Sequence, residues 1–263
     1  LLESSGAFSL EITDQLVNHG TIRSLVTQSL ATQSLVTQSL ATQSLGDDLN
    51  IRAAQIQNTG LIGSMGGVTL VSSSLLDNSG QILSESNINP LRIRAVTLDN
   101  QATGVIKSGA GLDIVATHLN NAGTLASRGD FVLGLQGRFT NAGQMISDSK
   151  SAMVLDLTQM TNTGVFETAG RLSIRLQEGL DNQGTIRVLD TETGLRIDSQ
   201  YIDNAGNLES VAALQLNVRD HIDNGGQIVS EGAVSVTANQ LDNRGSIASK
   251  DALTLNLRGD VIN

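Results

Sequence analysis

The 263 residues carry a formal net charge of −10, with 16 Lys and Arg against 26 Asp and Glu, which speaks against a nucleic-acid partner because phosphate binding depends on clustered basic side chains. The chain has no Cys, no Trp, 1 Tyr and 4 Phe alongside 27 Gly, so disulfides and thiolate metal sites are excluded and Leu, Ile, Val and Ala must fill the core. No run of 18 apolar residues exists, so no membrane-spanning segment is expected, and the first residues lie inside a repeat, which places any secretion signal outside this segment.

In chain order, the organising feature is the triplet Asn-x-Gly. It occurs at Asn18 and Gly20, Asn58 and Gly60, Asn78 and Gly80, and, with two extra residues, at Asn100 and Gly104. It continues at Asn121 and Gly123, Asn141 and Gly143, Asn162 and Gly164, and Asn182 and Gly184. Asn204 and Gly206, Asn224 and Gly226, and Asn243 and Gly245 follow, and Asn263 stands where another copy would start. From Asn58 onward the Asn-to-Asn spacing stays between 19 and 22 residues.

The columns around each Asn are nearly uniform. Two residues before it stands an apolar residue, as at Leu16, Leu76, Phe139, Met160 and Ile222; four after it stands another, as at Ile22, Ile82, Leu125, Phe166 and Ile247. Two further on, Ser24, Ser64, Ser84, Ser127, Ser147, Ser210, Ser230 and Ser249 recur, with Thr168 and Val188 as exceptions. Each unit closes on an alternating run such as Leu172-x-Ile174-x-Leu176. Period two means strands. A unit of about 20 residues with two or three short strands cannot bury its own apolar face, so each must stack on its neighbours as one coil of a solenoid.

The fold expected for residues 1–263 is therefore all-β: one parallel β-helix of some 12 coils, on the order of 60 Å long at a strand spacing of about 4.8 Å. Glycine is expected at the corner for its access to left-handed backbone, and the asparagines are expected to form an internal ladder, each amide bonding its own turn and its neighbours above and below. The variable spacing falls between the Ser column and the alternating run, as in 84–90 and 188–194. Insertions are expected there.

Residues 24–45 read as a ten-residue unit in tandem, and its four pentads add the length of one coil between Asn18 and Asn58. An extra coil, keeping Leu25, Leu30, Leu35 and Leu40 inside, is preferred over an extruded loop, which would expose them.

Candidate sites are few. Two adhesion-type triplets, Arg128-Gly129-Asp130 and Arg258-Gly259-Asp260, fall where corners are expected in any case. Asp181, Asp203, Asp223 and Asp242 each precede a ladder Asn and should stack at coil spacing as solvated outward carboxylates. His19, His118 and His221 are far apart, and no metal, no cofactor and no catalytic set emerges. A carbohydrate-active β-helix enzyme or polysaccharide-binding module is the alternative, weakened by the scarcity of aromatics that sugar rings would stack on.

The units LDNSGQILSES, LDNQGTIRVLD and IDNGGQIVSEGAVSVTA closely resemble the haemagglutinin repeat of two-partner-secretion exoproteins, which include filamentous haemagglutinin adhesins and the stalks of contact-dependent growth-inhibition toxins. The resemblance covers eleven copies and essentially the whole chain outside 24–45. It implies a right-handed parallel β-helix, export through an outer-membrane two-partner-secretion transporter, and a secreted stalk at the bacterial surface that is not an enzyme. It further implies a role in adhesion or toxin presentation towards a receptor on a host or bacterial cell.

Overall fold

The computed structural model describes residues 1–25 and 48–263. Every strand pairing among them is parallel, and partners lie in successive repeats, so the chain winds as a β-solenoid of about 12 turns. One coil shows the plan. A ladder strand, Tyr201–Asn204, leads through Ala205-Gly206 to a serine strand, Asn207–Ser210, and a three-residue corner then opens a long strand, Leu214–Val218. Alternation puts Ile202, Leu208, Leu214, Leu216 and Val218 inside, with Asn204 and Ser210.

Register follows the sequence columns. Ile202 pairs with Ile222, Asp203 with Asp223 and Asn204 with Asn224, and the same like-on-like pairing runs the length of the stack. Each large apolar side chain so enclosed contributes about 1.5–3 kcal/mol before the entropy of ordering is subtracted. The core needs no neighbour beyond the coils above and below.

Three walls enclose it. The serine strands form one 12-stranded sheet. The ladder strands form a second, which also contains the early long strands, because Leu91–Asn100 and Leu112–Asn121 each run without a break from long strand into ladder strand. From Met153–Leu157 onward the long strands form a separate 6-stranded sheet.

The serine-to-long corner takes three residues in most coils, but six at 85–90 and at 189–194 and five at 148–152. The low-complexity stretch leaves from this same corner, between the strands Thr21–Ser24 and Leu49–Ala53. Its bulk, residues 26–47, lies outside the described residues. The coils on either side of it are in direct contact: Phe8 pairs with Leu49, Asn18 with Asn58, and Ser24 with Ser64. No coil is interposed between them, which corrects the expectation of an extra coil in the stack. An intervening coil would separate these rungs by two strand spacings, on the order of 10 Å, whereas Asn18 donates to Asn58 at 2.7 Å.

Candidate functional site

The asparagines meet in a single file along the interior. Asn18 Nδ2 donates to Asn58 Oδ1 at 2.7 Å, and each later asparagine donates to the next at 2.7 or 2.8 Å, through Asn78, Asn100, Asn121, Asn141, Asn162, Asn182, Asn204, Asn224 and Asn243 to Asn263. All the amides point the same way, so the bonds polarise one another as a chain. Most Nδ2 groups are shared with backbone: Asn182 also donates to Gly184 O at 3.3 Å in its own turn and to Asn207 O at 3.2 Å in the next coil. The Asn carbonyl is used twice, accepting from Thr59 N at 2.8 Å and Gly60 N at 3.1 Å in the case of Asn18.

The glycine column has a different cause from the one expected. The only positive-φ glycine among the described residues is Gly194, φ 83, in the extended 189–194 corner; the Asn-x-Gly glycines have no left-handed backbone to support. What they provide is clearance. A Cβ on Gly60 would lie 2.0 Å from Gly20 O, on Gly80 2.1 Å from Gly60 O, on Gly184 2.1 Å from Gly164 O, and on Gly245 2.0 Å from Gly226 O. Gly104, after the two extra residues, meets Asn78 O and Asn100 Oδ1 at 2.3 Å each. The corners of successive coils therefore nest backbone on backbone, and each glycine carbonyl accepts from the residue that follows the next glycine, as Gly60 O does from Gln81 N at 2.8 Å.

A second polar file runs through the serine column. Ser24, Ser84, Ser127, Ser230 and Ser249 each donate their hydroxyl to a corner carbonyl of the preceding coil, as Ser84 Oγ does to Gly66 O at 2.9 Å. Ser108 belongs to this file, paired with Ser84 and Ser127. The sequence columns miss it, because the two-residue extension at Asn100 displaces it, although counting two on from Ile106 reaches it. Its Oγ is buried without a partner, above the six-residue corner 85–90.

On the outer surface of the ladder wall, Asp181, Asp203, Asp223 and Asp242 stand in register. Arg244 pairs with Asp223 at 3.8 Å and with Asp242, and Gln159 donates to Asp181 at 3.1 Å. The Asp203 carboxyl is pushed above its ordinary value, mainly by burial; His221 opposes that, and the like charges of Asp181 and Asp223 add to it. Among the described residues no group of three or more His, Asp or Glu is arranged to hold a metal ion.

Tyr201 and His221 occupy the neighbouring outer column. Their rings are parallel, 7° apart in tilt with centroids 5.7 Å apart, and His221 sits 3.5 Å from Asp203 and 3.4 Å from Asp220. The other face of Tyr201 lies on Gly179, where a Cβ would come within 2.4 Å of the ring. Both faces are thus covered, and the ring offers solvent its edge and its hydroxyl, which accepts from Gln159 at 3.2 Å. A sugar-stacking platform needs a free face. His19 and His118 are elsewhere, bonded to Thr59 Oγ1 at 2.7 Å and to Arg138 N at 3.4 Å.

The two adhesion-type triplets occupy different corners. Arg128-Gly129-Asp130 joins a serine strand to a long strand, and Arg258-Gly259-Asp260 joins a long strand to a ladder strand. Gly129 lies against Ala110 O, where a Cβ would come within 2.3 Å. Asp130 accepts from Ser149 Oγ at 3.0 Å, and hydrogen bonds from Ser151 and Ser149 hold its carboxyl below the usual range. The first triplet is a corner packed onto its neighbours. It does not form the tip of a projecting loop.

The haemagglutinin repeat family matches residues 4–89, 89–200 and 189–263. The chain belongs to the haemagglutinin-repeat family. A stretch of 133 residues, 50% of this haemagglutinin-repeat chain, is 34% identical to a protein of Dickeya dadantii (strain 3937) named Deoxyribonuclease CdiA. The chain spans 4% of that relative's length. No solved structure matches. Among the described residues, no helix is long and apolar enough to cross a membrane.

Proposed function

We propose that this segment is a structural stalk of a secreted bacterial surface exoprotein, exported by an outer-membrane two-partner-secretion transporter, which extends an adhesive or toxin module towards a receptor on a host or bacterial cell. The observation that carries this reading is the unbroken file of asparagine bonds from Asn18 to Asn263 inside like-on-like coils. Its interior polar side chains are directed at other coils of the same chain, so what the sequence repeats is a means of extension. A role as a spacer also fits the length of the relative, of which the chain spans 4%.

The reading is tested in the parent exoprotein on its own bacterium. Deleting residues 183–204 removes one coil and joins Asn182 to Ala205, so the columns stay in phase. Surface display and target-cell engagement should persist, with the rod shortened by about 4.8 Å. Deleting residues 195–204 removes half a coil and should abolish display. Loss of target engagement in the whole-coil deletion, with display intact, would show that the segment is itself the binding module.

A further inference from the structure

Among the described residues, the long-strand wall is interrupted once. Phe131–Leu135 pairs with Leu112–Asn121 below it, and Met153–Leu157 pairs with Leu172–Leu176 above it, but no strand pairing joins Phe131–Leu135 to Met153–Leu157. The other two walls continue across the same level: Phe139 pairs with Met160, Met145 with Phe166, and Asn141 donates to Asn162 at 2.8 Å.

The core is bulkier where the gap falls, and the corner leading into Met153–Leu157 is two residues longer than most. In the coil below, the inward positions on the three walls are Leu112, Leu119 and Leu125; in the second coil above, they are Leu172, Leu180 and Ile186. At the gap they are Phe131, Phe139 and Met145 in one coil and Met153, Met160 and Phe166 in the next. Phe139 and Phe166 meet edge to face at 6.4 Å. Interiors are close-packed, so extra side-chain volume must displace something. Two walls keep their ladders; in the third the ladder is missing, while the turns at its two ends stay bonded, Asp148 N to Ser127 O at 2.9 Å and Thr158 N to Gly137 O at 3.0 Å.

The plan of the coil also changes at this level. Below it, the long and ladder strands share one sheet through the unbroken strands Leu91–Asn100 and Leu112–Asn121; above it, the long strands stand as a sheet of their own. The core is correspondingly less well sealed: Phe131, Leu133 and Leu135 are 4–5% exposed, where Leu91, Ile93, Leu112 and Ile114 are 0%. Outside, Val132 and Val154 are exposed.

We propose that this seam is a hinge: the long-strand wall opens and closes between Phe131–Leu135 and Met153–Leu157, pivoting on the two continuous walls. It divides the rod into two cooperative blocks. In a quasi-one-dimensional stack each coil is held only by its neighbours, so a missing ladder at one level is where local opening is cheapest. The rod then bends towards and away from one wall at a fixed level, and a load along it is felt there first.

Hydrogen exchange on the whole chain, resolved by peptide, tests this. Amides in 131–135 and 153–157 should exchange at least about tenfold faster than those in 172–176 and 214–218. Equal protection overturns the proposal. A variant combining Phe131→Leu with Phe166→Ile, which restores the side chains of neighbouring coils, should slow exchange at the seam, because less volume holds the wall apart. Ordinary loss of core packing has the opposite sign, so faster exchange at the seam in this variant also overturns the hinge.

Discussion

Replacing Asn182 by Ala tests whether the ladder holds the coils together or merely occupies space. Asn182 is 0% exposed, accepts from Asn162 at 2.8 Å and donates to Asn204 Oδ1 at 2.7 Å. Truncation leaves Asn204 Oδ1 without its ladder donor and takes from Asn162 Nδ2 its shortest acceptor. Asn162 Nδ2 keeps Gly164 O and Thr185 O at 3.3 Å each, so one buried group is orphaned, and at about 1–3 kcal/mol for such a group the substitution should destabilise its region by about 1–3 kcal/mol. Asn182→Asp should cost more at neutral pH, since a second carboxylate oxygen then faces Asn204 Oδ1, Gly184 O and Asn207 O, all of them acceptors. Burial among acceptors raises the folded-state pKa of that new carboxyl above its unfolded value of about 3.9. Its penalty is therefore full above the folded pKa and fades as pH falls through it, when the protonated acid can donate to Asn204. Urea titration with segment-resolved hydrogen exchange is the suitable assay, because a solenoid need not unfold in one step. If Asn182→Ala costs no more than Ala at the exposed neighbour Gln183, the asparagine file does not carry the stability assigned to it.

Gly184→Ala should destabilise strongly, by more than about 2 kcal/mol, since its Cβ would lie 2.1 Å from Gly164 O; Gly20→Ala in this chain, with nothing within 4 Å, should be nearly neutral by the same denaturation assay. Asp203→Asn should stabilise the chain slightly at neutral pH, by less than about 1 kcal/mol because the side chain is 51% exposed. Since the Asp203 carboxyl is shifted upward in the folded state, that gain should vanish as pH is lowered through its folded pKa, which paired melting curves at neutral and acid pH would reveal.

Much of the molecule was legible from translation alone. Once residues about 20 apart occupy one column, parallel stacking puts like beside like, so the sequence determines by itself the strand period, the inward columns, the asparagine file, the row from Asp181 to Asp242 and the permissive corner. These need only the repeat length and period-two alternation, both local properties of the string. Tertiary structure decided what depends on how closely coils approach and how their volumes add. The corner glycines answer to a carbonyl in the coil below, 20 residues away, and not to their own backbone angles. The stretch from 24 to 45 has the length of a coil, yet Asn18 and Asn58 touch, because register is set by pairing partners rather than by residue count. The seam appears only in the strand pairing, at the level where Phe131, Phe139 and Met145 in one coil meet Met153, Met160 and Phe166 in the next: each is an acceptable apolar residue in its own column.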